Sequence, residues 1–154
     1  MPKVFLLLAF TAVMALTAAC TGQRVIRGEM PLIRIDSLER SEQDITFVLA
    51  LRNVNDQAFE IASLSYDLLV DGSHLAGGSS DVAVVISPRG RERIPIEATA
   101  AAAGLEHLEA LARGERNNLP WTMDISLRDE RGRSRDAELT GWLHAVPGQP
   151  DRFR

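Results

Sequence analysis

The alternation of apolar and polar residues constrains the fold of this chain more than any other feature. In the segment ITFVLALR, the apolar residues Ile45, Phe47, Leu49 and Leu51 share one face of an extended strand, because successive side chains of a strand point to opposite faces. Similar alternation recurs at residues 33–35, 64–70, 82–86, 94–96, 121–127 and 137–143. About seven or eight short strands at spacings of roughly 8–12 residues predict an antiparallel β-sandwich in a mainly β fold.

One segment lacks this alternation and predicts a single α-helix over about residues 100–113. The segment is rich in alanine, and Leu105, Leu108 and Leu111 recur at the spacing of one helical face. We expect this face to pack over an end or an edge of the sandwich, because a helix this short needs tertiary contacts. Thr99 is the expected N-terminal cap and Gly114 the expected C-terminal cap.

The beginning of the chain resembles the signal sequence of a bacterial lipoprotein. Lys3 is followed by an uncharged apolar run that ends at Ala19, shorter than the roughly 20 residues that a membrane-spanning helix needs. Ala18 and Ala19 precede Cys20, the single cysteine of the chain. We predict cleavage between Ala19 and Cys20 and acylation of Cys20. The alternative is a free thiol beside an uncleaved N-terminal anchor.

These features divide the chain into four parts. The predicted parts are a signal peptide over residues 1–19, a lipidated N-terminus and tether over 20–30, a β-sandwich domain over 31–145 and a flexible tail over 146–154. Thr21 stands where lipoproteins retained in the inner membrane carry aspartate. We therefore expect a lipid-anchored protein on the periplasmic face of the outer membrane of a Gram-negative bacterium. The inner membrane is the alternative.

Composition and motifs argue against several classes of function. The formal net charge is -4, whereas nucleic-acid binding requires a concentrated basic face. His74, His107 and His144 fall in different predicted elements and lack the spacing of metal ligands. The segment GGSSD at residues 77–81 lacks the spacing of a nucleophile elbow. The sequence therefore predicts no enzyme, no metal site and no cofactor.

Arginine-rich loops are the surfaces for which the sequence leaves two interpretations open. Four arginines flank a predicted hairpin loop: Arg128, Arg131, Arg133 and Arg135. Since Asp129 and Glu130 are interleaved with them, the loop is interpreted as a solvated segment of mixed charge. The second interpretation is a contact with phosphates of anionic lipid or lipopolysaccharide, which suit guanidinium groups. The segment PRGRER at residues 88–93 has the same ambiguity.

The segment LRNVND at residues 51–56 ends a predicted strand with two asparagines. Asparagine side chains bond to the neighbouring backbone at turns and tolerate positive φ angles. We interpret Asn53 and Asn55 as the residues that end one strand and start the crossover to the next. This interpretation predicts that Asn53→Ala lowers stability by on the order of 1 kcal/mol, by analogy with a lost helix cap.

The order of these features resembles the late embryogenesis abundant group 2 family, also called the water-stress and hypersensitive-response domain. The residues that carry the resemblance are the corner Asn53-Val54-Asn55, Tyr66 on the next strand, the hairpin glycine Gly72, and the turn formed by Pro88 and Gly90. The resemblance covers roughly residues 31–145. The sequence departs from the family pattern at Val54, where the family has proline.

The resemblance implies a sandwich of the immunoglobulin or fibronectin III type with one helix. The family is associated with desiccation and other stress responses, and some members are thought to protect client proteins. The resemblance thus implies a non-enzymatic domain that protects by binding or shielding client proteins or the membrane surface. The alternative is an envelope adaptor that docks one specific partner through a strand edge or its arginine-rich loops.

Overall fold

The fold is a β-sandwich in the computed structural model, which describes residues 25–154. The elements of this part of the chain are β1 (Leu32–Ser41), β2 (Asp44–Arg52), β3 (Phe59–Val70), β4 (Ser73–Ile86), β5 (Arg91–Thr99), α1 (Ala102–Ala112), β6 (Leu119–Arg128), β7 (Ser134–Leu143), β8 (Ala145–Val146) and β9 (Gln149–Phe153). One antiparallel sheet has the strand order β5-β2-β1-β9-β8, and the other has the order β4-β3-β6-β7. The predicted antiparallel β-sandwich with one helix is confirmed.

The core lies between the two sheets and contains the side chains that the alternation assigned to it. On β2, four inward side chains are at most 1% exposed: Ile45, Phe47, Leu49 and Leu51. Tyr66 on β3 meets Phe47 edge to face, with ring centroids 5.1 Å apart and an interplanar angle of 78°. Since each buried side chain of this size contributes roughly 1.5–3 kcal/mol, the apolar face of each strand is directed to the interior.

β4 is a long strand of 14 residues, of which the alternation in the sequence marked only residues 82–86. Its pairing with β3 shifts register between Ile61 and Ser63, and Ala83 in this region has a φ angle of 44°. The extra residue on β4 forms a β-bulge, which reverses the inward and outward order of the side chains.

Helix α1 matches the predicted helix but begins differently. Leu108 and Leu111 are buried, and Leu105 packs against the same core. The backbone N–H of Gly114, whose φ angle is 72°, donates to Leu111, and that of Glu115 donates to Ala110. This is the Schellman ending that the predicted glycine cap requires.

The prediction that Thr99 caps α1 is wrong. Ala101 occupies the N-cap position, and no side chain bonds there. The Thr99 hydroxyl donates instead to Asp44 on β2, at 3.0 Å. Thr99 is the last residue of β5, so its side chain serves the sheet pairing and lies too early in the chain to reach the helix.

The prediction of a flexible tail over residues 146–154 is also wrong. β9 pairs with β1, where Phe153 lies opposite Leu38, and Phe153 is completely buried. Arg154 and His144 exchange two backbone hydrogen bonds of 2.9 and 3.0 Å. One buried aromatic side chain and these backbone pairs hold the end of the chain, although its Pro/Gly composition is typical of a loop.

Within residues 25–154, no helix has the length and apolar character needed to cross a membrane. The predicted signal peptide, with its cleavage site at Ala19 and Cys20, lies outside the described residues. Its cleavage and the acylation of Cys20 stay predictions.

Candidate functional site

The corner between β2 and β3 is held by the side chain of Asn53, which is completely buried. Its Nδ2 donates to the backbone carbonyl oxygens of Gln57, Ile86 and Ser87, at 2.8, 3.1 and 3.0 Å. Its backbone N–H donates to the carbonyl of Gly90 at 2.9 Å. Asn53 therefore joins the end of β2 to the turn between β4 and β5.

Asn55 extends this network to the segment before β1. Its backbone N–H and its Nδ2 both donate to Oδ1 of Asn53, at 2.9 and 2.8 Å. Its Nδ2 also donates to the carbonyl of Glu29 at 2.9 Å, and its Oδ1 accepts the Glu29 N–H at 2.8 Å. Because a side-chain amide offers the same donor and acceptor as a peptide group, Asn55 pairs with Glu29 as a neighbouring strand would.

The structural role predicted for both asparagines agrees with these contacts, but one proposed reason is wrong. Neither Asn53 nor Asn55 is among the described residues with positive φ angles. Among residues 25–154, these two are the buried polar side chains, and their buried atoms have hydrogen-bond partners. Asparagine is required for its paired donor and acceptor, because an unpaired polar group at this depth would be costly.

Residues 53–56 are here called the asparagine corner. Part of the predicted tether, residues 26–29, is docked on this corner. The backbone N–H of Ile26 donates to Oδ2 of Asp56 at 2.7 Å, and its carbonyl accepts the Asp56 N–H at 2.9 Å. Together with the pairing of Glu29, these bonds fix residues 26–29 against the sandwich. The ordered contacts therefore begin before Pro31, where the sequence placed the start of the domain.

Arg89 completes the corner from the turn between β4 and β5. Its Nε donates to Oδ1 of Asp56 at 2.9 Å, and its backbone N–H donates to the carbonyl of Asn55 at 3.1 Å. The backbone N–H of Ile26, followed by the Arg89 guanidinium, lowers the pKa of the Asp56 carboxyl below its ordinary value of 3.8. Asp56 is thus an ionised link between the N-terminal segment and this turn.

Pro88 and Gly90, predicted as turn residues, flank Arg89. The backbone N–H of Gly90 donates to the carbonyl of Ser87 at 2.9 Å, which closes a four-residue turn. A Cβ atom on residue 90 would lie 2.9 Å from the Ser87 carbonyl oxygen. A side chain at position 90 would therefore force this turn apart.

The other predicted family residues, Tyr66 and Gly72, lie away from the corner. Tyr66 belongs to the core, where burial raises the pKa of its hydroxyl. Gly72 follows Asp71 in the hairpin between β3 and β4, with φ angles of 77° and 49°. Positive φ at both central residues is typical of a type I′ turn, as the Asp-Gly sequence predicted.

The loop between β6 and β7 is organised by Asp129. Its Oδ1 accepts the backbone N–H groups of Arg131 and Arg133 at 3.0 and 2.9 Å, and its Oδ2 accepts Nε of Arg133 at 2.7 Å. The backbone N–H of Arg133, with further help from its guanidinium, lowers the pKa of Asp129. The carboxylate that interleaves with the arginines is therefore engaged in holding the loop.

This loop and the docked N-terminal segment enclose a groove of about 370 Å³, here called the arginine groove. Four arginines line it: Arg27, Arg131, Arg133 and Arg135. Arg135 donates to the carbonyl of Gly28, and its guanidinium carbon lies 5.5 Å from the centroid of the Phe59 ring. This distance is within the range of a cation–π contact.

The sequence identified most of this groove but not all of it. Three of the four predicted contact arginines line it, whereas Arg128 is exposed and is not among its lining residues. Arg27 was missed because it falls in the segment assigned to the tether, and Phe59 because it begins an ordinary strand.

A second cluster contains the side-chain types of an acyl-transfer triad. Oγ of Ser73 lies 3.1 Å from Nε2 of His107, and Nδ1 of His107 lies 3.5 Å from Oδ2 of Asp71. However, Arg116 binds the same Asp71 oxygen and lowers the pKa of that carboxyl. The charge of this carboxylate is thus compensated by Arg116, and the cluster connects α1 to the β3–β4 hairpin.

The other histidines lie apart from this cluster and from each other. His74 pairs with Asp67 at 3.1 Å, and His144 lies 3.4 Å from the carbonyl of Asn117. No group of three or more potential metal ligands occurs among the residues that the structure describes.

Comparisons with known proteins agree with this architecture. The family described as late embryogenesis abundant protein matches residues 48–137. A solution structure of an Arabidopsis thaliana protein has 12% sequence identity and a TM-score of 0.51, with 80% of this chain and 92% of that chain covered. A solution structure of a putative late embryogenesis abundant protein has 14% identity and a TM-score of 0.50, with 97% of this chain and 88% of that chain covered. No curated protein matches the sequence.

At these identities the two solved structures show a shared fold and nothing more. The family match is the stronger finding, because it spans more than half of the chain and includes the asparagine corner, Tyr66, Gly72, Pro88 and Gly90. The resemblance read from those residues is therefore confirmed, and this chain belongs to the late embryogenesis abundant protein family.

Proposed function

We propose that this protein is a non-enzymatic, lipid-anchored domain that protects a bacterial envelope during water loss and related stress, by binding or shielding the membrane surface or nearby proteins. Membership of the late embryogenesis abundant family supports the link to stress. The observation that supports the proposed contact with the membrane is the docking of residues 26–29 beside the arginine groove. The segment that follows the predicted anchor therefore joins the domain at the end that carries the arginine groove.

Acylation of Cys20 would hold the domain close to the lipid surface. Multiple acyl chains give stable attachment, whereas a single chain does not. We place the protein on the periplasmic face of the outer membrane, because Thr21 and not aspartate follows the cysteine. Retention in the inner membrane is the alternative. Mass spectrometry of the mature N-terminus tests the anchor, since an intact Met1 or an unmodified Cys20 would contradict it.

The non-enzymatic assignment is supported by how the candidate catalytic groups are used. Arg116 pairs with the same Asp71 oxygen that lies near His107, so this oxygen does not serve His107 alone, as it would in a triad. Asp129 and Asp56 are engaged in hydrogen bonds that hold loops, and their pKa values are lowered, which does not suit proton transfer near neutral pH. The three carboxylates therefore hold loops and neighbouring segments together.

A survival assay tests the proposed protection. A strain lacking the gene is compared, after drying and after osmotic shock, with strains carrying the wild-type protein or the Cys20→Ala variant. We expect reduced survival without the gene, full rescue by the wild type and weak rescue by the unanchored variant. Unchanged survival of the deletion strain would refute the stress function.

An adaptor is the second candidate, and the free edge of β7 favours it. β7 (Ser134–Leu143) pairs with β6 on one side and ends its sheet on the other. Trp142 on this edge is 58% exposed. The unpaired outer edge of a strand of ten residues is a surface to which a partner strand can add. Crosslinking of the acylated protein separates the candidates: one stoichiometric partner supports the adaptor, and many weak ones support the protectant.

A further inference from the structure

We propose that the arginine groove binds phosphate groups of anionic lipid headgroups in the membrane that carries the anchor, and so fixes the orientation of the domain on that membrane. This role of the arginine groove rests on the proposed membrane anchoring of the domain. The occupant is a lipid of the carrier membrane and not a protein partner.

The groove presents guanidinium groups in two different states. Arg133 is held by Asp129, and Arg135 is held by the Gly28 carbonyl and the Phe59 ring. Arg27 and Arg131 make no ion pair with any other residue of the described part of the chain and are exposed. Two fixed and two unengaged guanidinium groups around one cavity suit a ligand with several oxygen acceptors, as a phosphate has.

The acidic residues of the groove do not cancel this charge. Glu60 and Asp129 line it along with the four arginines. The Asp129 carboxylate accepts three hydrogen bonds from Arg131 and Arg133, so it faces its own loop. The cavity of about 370 Å³ therefore keeps an excess of positive charge at a size typical of small-ligand sites.

The length of chain between the predicted anchor and the groove determines which surface the groove can reach. Docking of residues 26–29 leaves residues 20–25 as the remaining tether. At the roughly 3.3–3.6 Å that an extended residue spans, these residues reach at most about 20 Å. Only Ile26 separates Arg27 from this tether, so an anchor at Cys20 would keep the groove within about this distance of the lipid surface.

Negative charge elsewhere on the protein favours one orientation of the domain on an anionic membrane. The chain carries a formal net charge of -4, so an anionic membrane repels the molecule as a whole. The helix end of the domain carries several acids, among them Glu106, Glu109 and Glu115. The arginines of the groove can overcome this repulsion only when the groove end of the domain, and not the helix end, faces the lipid.

The test uses residues 20–154, the predicted mature chain, without its lipid and with Cys20→Ser to prevent dimerisation. The described strands, helix and core lie within residues 25–154, so this chain keeps the complete described domain. Sedimentation with vesicles of phosphatidylcholine alone, or with added phosphatidylglycerol, measures binding that the acyl anchor cannot produce. Thermal unfolding of each variant establishes that it is folded.

Two double variants remove equal charge from opposite ends of the domain. The groove variant is Arg27→Gln with Arg131→Gln, and the control is Arg113→Gln with Arg116→Gln. We expect the wild type and the control to bind vesicles that contain phosphatidylglycerol and not phosphatidylcholine alone, with weaker binding at high salt. The groove variant should bind roughly thirtyfold more weakly, if each arginine near an anionic surface contributes about a factor of five.

Equal binding by the groove variant and the wild type would overturn the proposal. A melting temperature raised by millimolar inorganic phosphate, with no binding of the wild type to vesicles that contain phosphatidylglycerol, would also overturn it, because the groove would then bind free phosphate and not a lipid surface. These outcomes differ from a failure of the proposed function, which would be detected as an unacylated N-terminus in mass spectrometry. The vesicle assay contains no acylated protein and reports on the groove alone.

Discussion

Asn53 holds Asn55 by two hydrogen bonds to one oxygen: Oδ1 of Asn53 accepts the backbone N–H of Asn55 at 2.9 Å and its side-chain amide at 2.8 Å. Both residues are almost completely buried. Through this pair, the β4–β5 turn on one side and the N-terminal segment on the other are joined by side-chain amides. The pair therefore positions the docked segment that lines the arginine groove.

Replacement of Asn53 tests how much this network stabilises the domain. Asn53→Ala would leave the carbonyls of Gln57, Ile86 and Ser87 and the amide of Asn55 without their partner. We expect the free energy of unfolding to fall by about 3 kcal/mol, since buried unpaired groups cost roughly 1–3 kcal/mol each and some will regain water. This exceeds the value of about 1 kcal/mol inferred from sequence by analogy with a cap. Urea denaturation measures the change.

The matched control is Asn118→Ala, at an exposed position. We expect a change within about 0.5 kcal/mol, as is usual for surface substitutions. A loss at Asn53 no larger than at Asn118 would mean that the buried amide does not stabilise the corner.

The carboxyl of Asp56 predicts how the N-terminal segment responds to acid. Its pKa in the folded protein lies below the ordinary value of 3.8, chiefly because the Ile26 N–H binds the ionised form and secondly because Arg89 does. A lowered folded-state pKa stabilises the fold above the ordinary value, and this contribution is lost as the pH falls through the folded-state pKa. We expect the Ile26 amide resonance in NMR to titrate with a midpoint below 3.8.

Asp56→Asn provides the control for this titration. The amide resonance of Ile26 should then lose its transition in this range, because no carboxyl remains at the corner. A midpoint at or above 3.8 in the wild type would contradict the assigned contacts.

Phe153 tests whether the end of the chain belongs to the core. Its side chain is completely buried beside Leu38, so Phe153→Ala removes a large apolar contact and leaves a cavity. We expect a loss of about 3–5 kcal/mol in the free energy of unfolding. Arg152→Ala, which removes an exposed ion pair with Glu39 at 3.0 Å, should cost about 1 kcal/mol or less. Equal effects of the two changes would refute the pairing of β9 with β1.

The turn between β1 and β2 offers a substitution that should raise stability. Glu42 has a φ angle of 56° at the first central position of a two-residue hairpin, closed by Ser41 and Asp44. Left-handed backbone costs a non-glycine residue roughly 1–2 kcal/mol, partly offset by the extra entropy of glycine in the unfolded chain. We expect Glu42→Gly to raise the free energy of unfolding by about 0.5–1 kcal/mol.

Gln43→Gly is the control, because residue 43 is not among those with positive φ. Glycine there should lower stability or leave it unchanged. Thermal unfolding measures both variants. Equal effects at positions 42 and 43 would show that backbone strain is not the cause.

The sequence alone determined the sandwich, because burial on one face imposes the alternation seen in residues such as Phe47 and Tyr66. It also determined the helix and the hairpin at Gly72, since helical spacing and positive φ at a turn are local requirements. Local chemistry likewise showed that Asn53 and Asn55 belong to a corner. Local patterns were misleading at Thr99, whose hydroxyl bonds to another strand.

Only the tertiary structure decided which distant segments meet. The docking of Glu29 on Asn55 and the burial of Phe153 depend on partners 26 and more than 100 residues away, and no local pattern records such pairing. The arginine groove arises in the same way, because Arg27 joins Arg131 and Arg133 only once the N-terminal segment is held at the corner. Single buried contacts of this kind leave too little periodicity in a sequence to be detected before the chain has folded.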